Sequence, residues 1–593
     1  MGAFAVVLPS GPEPRPPADV SRMLAASPHR GEEVDVATLG RCTLGVSGGD
    51  VSLAVAEGFA AAVVGRIDNL VELVKRFLGE GSHLGASPAE AVIGTFASLR
   101  DRTPTLMRGV YAVVVTDGTR LWLFRDHLAL AQAMYRLDHH GFVAASEAKQ
   151  VLAGVGLARE PDIETVEGWF YGDGGDGETP AAVKGVTRPA RATVLVSDGR
   201  RAWKRRYWDP DALFETGRYG QHELRERFDV LMTQAVERTL TGNDLVSLSG
   251  GIDSPAIPGY GDRRHRELSG RPMAALSFVF PDFPEVDESA YIDVVVRRFG
   301  MEAYTLQPTA RPLDDIVSWV DRCDSPCPIH PPAEAAEYYR MARSLGYTNI
   351  IGGELAEFLT SERAALVSHL VSRGRFGALP RVIGSQRDIN ISWLGIARQL
   401  VYAFVPRAVL AERERRRRSA PDAGFPAWLD ERRVADANAR NLVAPLRRYR
   451  WEQTGFFIGP PIGTESDATV QAVFGVMNRR PWIDVDLSEF FVSLPAEVKF
   501  PDFRMKTLVR RLLRGRVPDE ILDRRDKTYF NQRILGTVDW DGLRRWLVDP
   551  PYRMPGVDYA MLAERIEQRR FLIGDQKWAV DLAKTHAFMS LWS

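Results

Sequence analysis

Cysteine is scarce in this 593-residue chain: Cys42, Cys323 and Cys327 are the only three. That is too few for a disulfide framework. The Cys-x3-Cys pair has no second cluster and no histidine at zinc-site spacing, so no structural zinc is expected from it. A reduced, cytoplasmic protein is the expectation. Charge of one sign is also lacking, with 76 lysines and arginines against 77 aspartates and glutamates. No overall field therefore draws the molecule toward nucleic acid or an anionic membrane. There is no run of about eighteen apolar residues, so no membrane span is expected. The stretch "MGAFAVVLPSGPEPRP" has no charged segment ahead of its short apolar run and does not read as a secretory signal. Repeats and low-complexity tracts are missing as well. What remains is an ordinary globular composition, 45% hydrophobic and 26% charged, long enough for about two to four domains.

The first two hundred residues are rich in short β-branched runs broken by Gly and Asp-Gly turns, such as "GAFAVVLP", "GVYAVVVTDGTRLWLFRD" and "ATVLVSDGRRAWKRRYW". These read as strands and hairpins, with helices at "NLVELVKRFLG" and "PAEAVIGTFASLR" between them. This part is expected to be α+β and dominated by sheet. The cluster "YGDGGDGETP" (Tyr171 to Pro180) reads as a surface loop, and "YWDPDALF" around Trp208 as an exit linker. From Leu213 the grammar changes. A long helix pattern, "HELRERFDVLMTQAVERTL", leads into a strand at Asp244 to Leu248, and further strands are expected at "PMAALSFVF" and "TNIIGG". Strands alternating with helices imply a parallel, doubly wound α/β sheet. Helices are expected to dominate from there to the carboxyl end, where the arginines of "AERERRRRSAPDAG" and "APLRRYRWEQ" read as solvated helix faces.

The most informative stretch is "LVSLSGGIDSPAI", Leu245 to Ile257. In an open parallel sheet, ligands bind beyond the carboxyl ends of the strands, where the next helix aims its free amides outward. Gly250 and Gly251 let the backbone approach a phosphate, while Ser247, Ser249 and Ser254 offer hydroxyls. Successive amides there are expected to form an anion nest. A carboxylate among phosphates, Asp253, makes sense with a divalent cation between them, so Mg²⁺ is implied. Pro258 and Gly259 follow closely, and the helix is expected to start poorly or to bend there.

The full S-x-S-G-G-x-D-S string resembles the PP-loop of the ATP pyrophosphatases, which cleave ATP between its α and β phosphates to make an acyl-adenylate. Further segments resemble the asparagine synthetase B-like family, most closely its lasso peptide macrolactam synthetases. In "SFVFPDFPEVDESAYIDVVVRRFG" the resemblance puts Phe278, Val279 and Phe280 against adenine through the backbone. In "NIIGGELAEFL" it puts Gly352 and Gly353 with the nucleotide, Glu354 on the active-site glutamate, and Glu357 on the acidic residue sharing the metal with Asp253. Leu355 stands where the family has glycine, and Glu357 where it has aspartate. "KTLVRRLLRGRVPDEILDRRDKTYF" resembles the family's segment that puts Lys506 on phosphate and Lys527 on the acyl-adenylate. Such an acceptor and such a lysine suit the chemistry: adenylation develops negative charge that a metal and a lysine stabilise, and amide formation needs a carboxylate to take the amine's proton.

"SPHRGEE", "VVGRIDNLVELVKRFLG" and the segment from "LMRGVYAVVV" to "EAKQVLAG" resemble the family's glutaminase domain in the same order. The resemblance implies an N-terminal glutaminase-like (Ntn-type) α+β sandwich over residues 1–208. A doubly wound PP-loop synthetase domain with a helical C-terminal extension then follows over 209–593. The glutaminase nucleophile, a cysteine after the initiator Met, is absent: the chain reads Met1, Gly2, Ala3. An amine already on the substrate is then the expected nucleophile. The implied activity is ATP-dependent macrolactam closure in a precursor peptide, with ATP and Mg²⁺ as cofactors. The implied partners are the precursor peptide, a leader peptidase and a leader-recognition protein. The alternatives are a β-lactam synthetase-like or ammonia-dependent asparagine synthetase-like ligase, or a non-catalytic binding relic.

Overall fold

The computed structural model describes the chain apart from residues 1, 80–84, 173–177, 328–331, 361–364, 382–393, 395–396, 398–399, 402–403, 417–425, 460–463, 502–505, 525–530 and 593. Up to Arg206 two antiparallel sheets form, of seven and six strands. They face each other because strand side chains alternate. Phe4, Val6 and Leu8 of the strand Ala3–Pro9 meet Ala62, Val64, Val114 and Leu123 of the other sheet. Ala3, Ala5 and Val7 point the opposite way, onto a helical layer. The outer face of the six-stranded sheet is covered by the helices Leu70–Phe77 and Pro88–Leu99, through Leu73, Val92 and Phe96. The result is four layers: helices, sheet, sheet, helices.

A five-stranded, wholly parallel sheet follows, and its central strand Asp244–Ser247 lies between Ala274–Phe278 and Asn349–Gly352. Glu302–Leu306 and Met477–Arg479 form its edges. Val246, Ala275 and Ile351 bury on one face, while Leu245, Leu276 and Ile350 bury on the other. Near-continuous apolar strands are what a sheet covered on both sides requires. The helix Gln221–Glu237 packs Leu224, Phe228, Leu231, Met232 and Val236 inward at helical spacing.

Among the described residues helices dominate beyond Gly353 as expected, interrupted by the edge strand Met477–Arg479, whose three residues show no periodic pattern. Two expectations are corrected. The stretch around Trp208 is no free linker: Trp208 is buried and donates Nε1–H to Glu489 Oε1 at 2.8 Å, and Phe214 joins the main core. The helix after the glycine loop runs unbroken over Ala256–Ser269. Pro258 is its third residue, in the first turn, where a missing N–H leaves no helical bond unmade.

The C-terminal helices do not stand apart. Trp428, Leu543, Trp546, Leu582 and Phe588 share a core with Ala3, Val7, Val143 and Trp169 of the amino-terminal sheet region. Arg108 also binds Asp486 at 2.7 Å, and Arg479 pairs with Asp68. Of the arginine run, Arg415 pairs with Glu412 and Asp436, and Arg416 with Glu412; Arg417 and Arg418 lie outside the described residues, as do residues 173–177 of the Tyr171–Pro180 cluster. Among the described residues no helix is long and apolar enough to cross a membrane.

Candidate active site

Ser247 and Gly352 are register partners at the ends of adjacent parallel strands. The chain leaves those ends in two loops that meet where the strand order reverses, the place where open α/β sheets bind ligands. Asp244 roots this corner. It accepts from Thr241 at the surface and from the buried Asn349, and pairs with the buried His265 Nδ1 at 2.9 Å. Gly353 then lies so close to the first loop that a Cβ there would stand 2.6 Å from the Ser254 nitrogen. A side chain at Gly250 would stand 2.8 Å from the Glu288 Cβ. Both positions need glycine for close approach, whereas a Cβ on Gly251 would only touch Ser249.

Ser247, Ser249, Asp253, Ser254, Phe278, Phe280, Gly353, Glu354 and Glu357 line one open cavity of about 480 Å³. Gly250, Gly251, Val279, Gly352 and Lys506 flank it in the chain or by contact, and Lys527 lies outside the described residues. Phe278 and Phe280 are near-parallel, with centroids 6.3 Å apart. The Val279 amide is spent on Leu306 O at 3.0 Å, so it has no proton to give an adenine.

The anion nest is filled by the chain's own oxygens. Ser249 N–H donates to Ser254 Oγ at 2.9 Å, Gly250 N–H to Glu288 Oε2 at 3.0 Å, and Gly251 N–H to Ser249 Oγ at 3.4 Å. Arg524 locks the arrangement from outside, donating to Glu288 Oε1 at 2.7 Å and to Gly250 O at 2.9 Å. Trp482, fully buried, donates to Asp253 O at 2.9 Å. Lys506 pairs with Asp253 Oδ2, while Asp253 Oδ1 is buried with no hydrogen-bond partner among the described residues.

Glu354 sits at the opposite wall. Asn478 Nδ2 reaches its Oε2 at 3.5 Å, and Arg480 Nε lies 3.4 Å away. Arg480 is held from behind by Asp467 at 2.6 Å, and Asp467 also accepts from Tyr339 OH at 3.1 Å. The Glu354 side chain is 44% exposed; the desolvation that remains raises its carboxyl, and Arg480 offsets this only in part. Burial pushes Asp467 the same way, but the Arg480 charge and hydrogen bond prevail and hold it low. Leu355 adopts φ +67°, the left-handed conformation that glycine takes without strain. At the remaining rim Arg533 lies over the Phe280 ring at 4.5 Å and pairs with Glu334 at 3.3 Å. None of Glu288, Arg524, Trp482, Arg480, Asp467 or Arg533 was singled out from the sequence. Each reaches the site across the fold, and no local spacing marks it.

Residues 227–558, more than half of the chain, match the Asparagine synthase family. The chain belongs to the asparagine synthase family. Consistent with that family, "Asparagine synthetase [glutamine-hydrolyzing] 3" of Bacillus subtilis (strain 168) is 22% identical over 499 residues, covering 80% of this chain and 76% of the relative. Among solved structures, the glutamine phosphoribosylpyrophosphate amidotransferase of B. subtilis covers 51% of this chain and 81% of its own at 14% identity and a TM-score of 0.26. An allosteric regulatory enzyme of purine biosynthesis covers 51% and 80% at 13% identity and the same TM-score. Likeness at that level is too slight to bear on the fold.

Proposed function

We propose that this member of the asparagine synthase family is an ATP-dependent, AMP-forming carbon-nitrogen ligase, and in finer detail a macrolactam synthetase. It adenylates a side-chain carboxylate of a precursor peptide and closes a ring with the peptide's own α-amine. Family membership supports the ligase class. One observation carries the site: the two loops at the strand switch point bring Asp253, Glu354 and Glu357 to a single cavity.

The residues fit a hard divalent cation. Asp253 Oδ1 is buried and unpartnered among the described residues, Glu357 lines the same cavity, and Mg²⁺ is usually held by one or two carboxylates plus phosphate and water. When bound, such an ion neutralises charge on the departing pyrophosphate. Lys506 and, by resemblance, Lys527 hold phosphate oxygens and the adenylate. Glu354, with its raised carboxyl, takes the proton an ammonium must lose before it can attack.

The nitrogen source is read from the amino-terminal half. At the position the resemblance gives to a glutaminase nucleophile stands Gly2, whose amide donates to Gly49 O at 2.7 Å. A Cβ there would lie 2.1 Å from Ser47 O and 2.5 Å from a Val51 methyl. Arg30 closes the space, donating to Gly2 O at 3.1 Å and pairing with the buried Glu147 at 2.6 Å. This packing supports an amine carried by the substrate, with the Ntn-type half acting as scaffold or peptide platform. A leader peptidase and a leader-recognition protein in the cytoplasm are the proposed partners.

The test is mass spectrometry of candidate precursor peptides incubated with the chain, ATP and Mg²⁺. Loss of one water, with AMP formed in step, is the expected result. AMP formed with free aspartate and ammonium would instead support an ammonia-dependent ligase, and ADP as product would overturn adenylation.

A further inference from the structure

One of the two carboxylate oxygens of Asp253, Oδ2, is already occupied from within the chain. Lys506 Nζ pairs with Oδ2, and the two side chains are only 22% and 19% exposed. Lys506 is not carried there by regular structure. It caps the helix Thr507–Leu512 in the left-handed conformation, φ +59°, which disfavours a lysine by about 1 to 2 kcal/mol. Its amide donates to Thr360 O at 3.3 Å, at the end of the short helix that Glu357 begins. The backbone is thus tied to the segment bearing the second carboxylate, while the ammonium is aimed at the first.

We propose that Lys506 is a stand-in for the divalent cation. In the nucleotide-free protein it denies Asp253 to free metal, so the metal enters together with a nucleoside triphosphate, whose phosphate tail takes the ammonium in exchange. This rests on the nucleotide reading above. A carboxylate neutralised by an ammonium offers a hydrated cation little attraction, and a metal displacing it alone would strand a shielded ammonium without a partner. With a triphosphate present, the ammonium exchanges one anionic oxygen for another, and charge-assisted bonds are kept on both sides. Metal and triphosphate affinity are then coupled through one side chain, and by linkage the coupling is reciprocal.

The experiment measures Mn²⁺ binding to the full chain by electron paramagnetic resonance, with and without α,β-methylene-ATP. It compares wild type with Lys506→Met and Lys506→Asn, since asparagine accepts positive φ. For wild type, weak binding of Mn²⁺ alone and roughly tenfold tightening with the analogue are expected, a factor of ten being a readily measured change. In both variants Mn²⁺ alone should bind roughly tenfold tighter than in wild type, and the tightening by the analogue should shrink. The double variant Asp253→Asn with Lys506→Met should lose that gain. Variants that bind Mn²⁺ alone no better than wild type, or a double variant that keeps the gain, overturn the stand-in while leaving the nucleotide reading intact. A wild type that binds the analogue neither with nor without Mn²⁺ overturns both.

Discussion

Lys499 is a charge-bearing group placed where a charge is expensive, and its replacement gives a quantitative forecast. The side chain is 3% exposed. Its Nζ donates to Gln453 Oε1 at 2.5 Å and lies 5.9 Å over the Phe491 ring. Burial brings its pKa from 10.5 down to about 7, with Glu215 opposing weakly. Because the folded value is the depressed one, the unfolded chain binds the proton more tightly between about 7 and 10.5. Stability therefore rises with pH across that window, by up to about 1.4 kcal/mol per pH unit. Below about 7 both states are protonated, the slope vanishes, and the penalty persists in full, about 5 kcal/mol as an upper figure. Lys499→Met removes the charge at similar length but gives up the hydrogen bond to Gln453 Oε1, a loss of about 1 to 3 kcal/mol. Urea unfolding of both proteins from pH 7 to 10 should show the variant ahead at pH 7 and the gap narrowing by several kcal/mol, about 1 per unit. A gap that stays constant over this range would refute the reasoning.

Three further outcomes follow from the site. Gly353→Ala drives a Cβ into the Ser254 and Asp253 backbone; nucleotide affinity, read by calorimetry with Mg·ATP, should fall by roughly tenfold or more, with about 1 to 3 kcal/mol lost in stability. Asp467→Asn frees Arg480 to pair fully with Glu354, now 3.4 Å away, which lowers the Glu354 carboxyl. Amide formation should slow by roughly tenfold or more while ATP-pyrophosphate exchange persists, the size expected for losing a proton acceptor. Leu355→Gly relieves a left-handed residue worth about 1 to 2 kcal/mol but forfeits partly buried packing, so its melting midpoint should stay within a few degrees of wild type.

Much of the loop's identity was legible because it is local. The glycines, serines and Asp253 stand consecutively after an apolar strand, and that order alone says where the chain must turn and which ligand chemistry it suits. Glu354 and Glu357 came instead from the resemblance of "NIIGGELAEFL" to the family's segment, and both line the same cavity. Pro258 misled because proline is read as a breaker, whereas its effect depends on whether its missing N–H falls in the first turn. The supposed linker misled because Tyr207 and Trp208 look like punctuation until the Glu489 carboxylate and the helical core are seen around them.

The sequence by itself determined the alternation of strands and helices, the parallel sheet and the glycine turn, since each follows from side-chain period and backbone freedom over a few neighbours. Only the tertiary structure decided what surrounds the turn. Lys506 on Asp253, Glu288 on the Gly250 amide, and Asp467 and Arg480 behind Glu354 are far apart along the chain. Their electrostatics depend on separations of a few ångströms in a shielded cavity, and no spacing in the sequence encodes such distances.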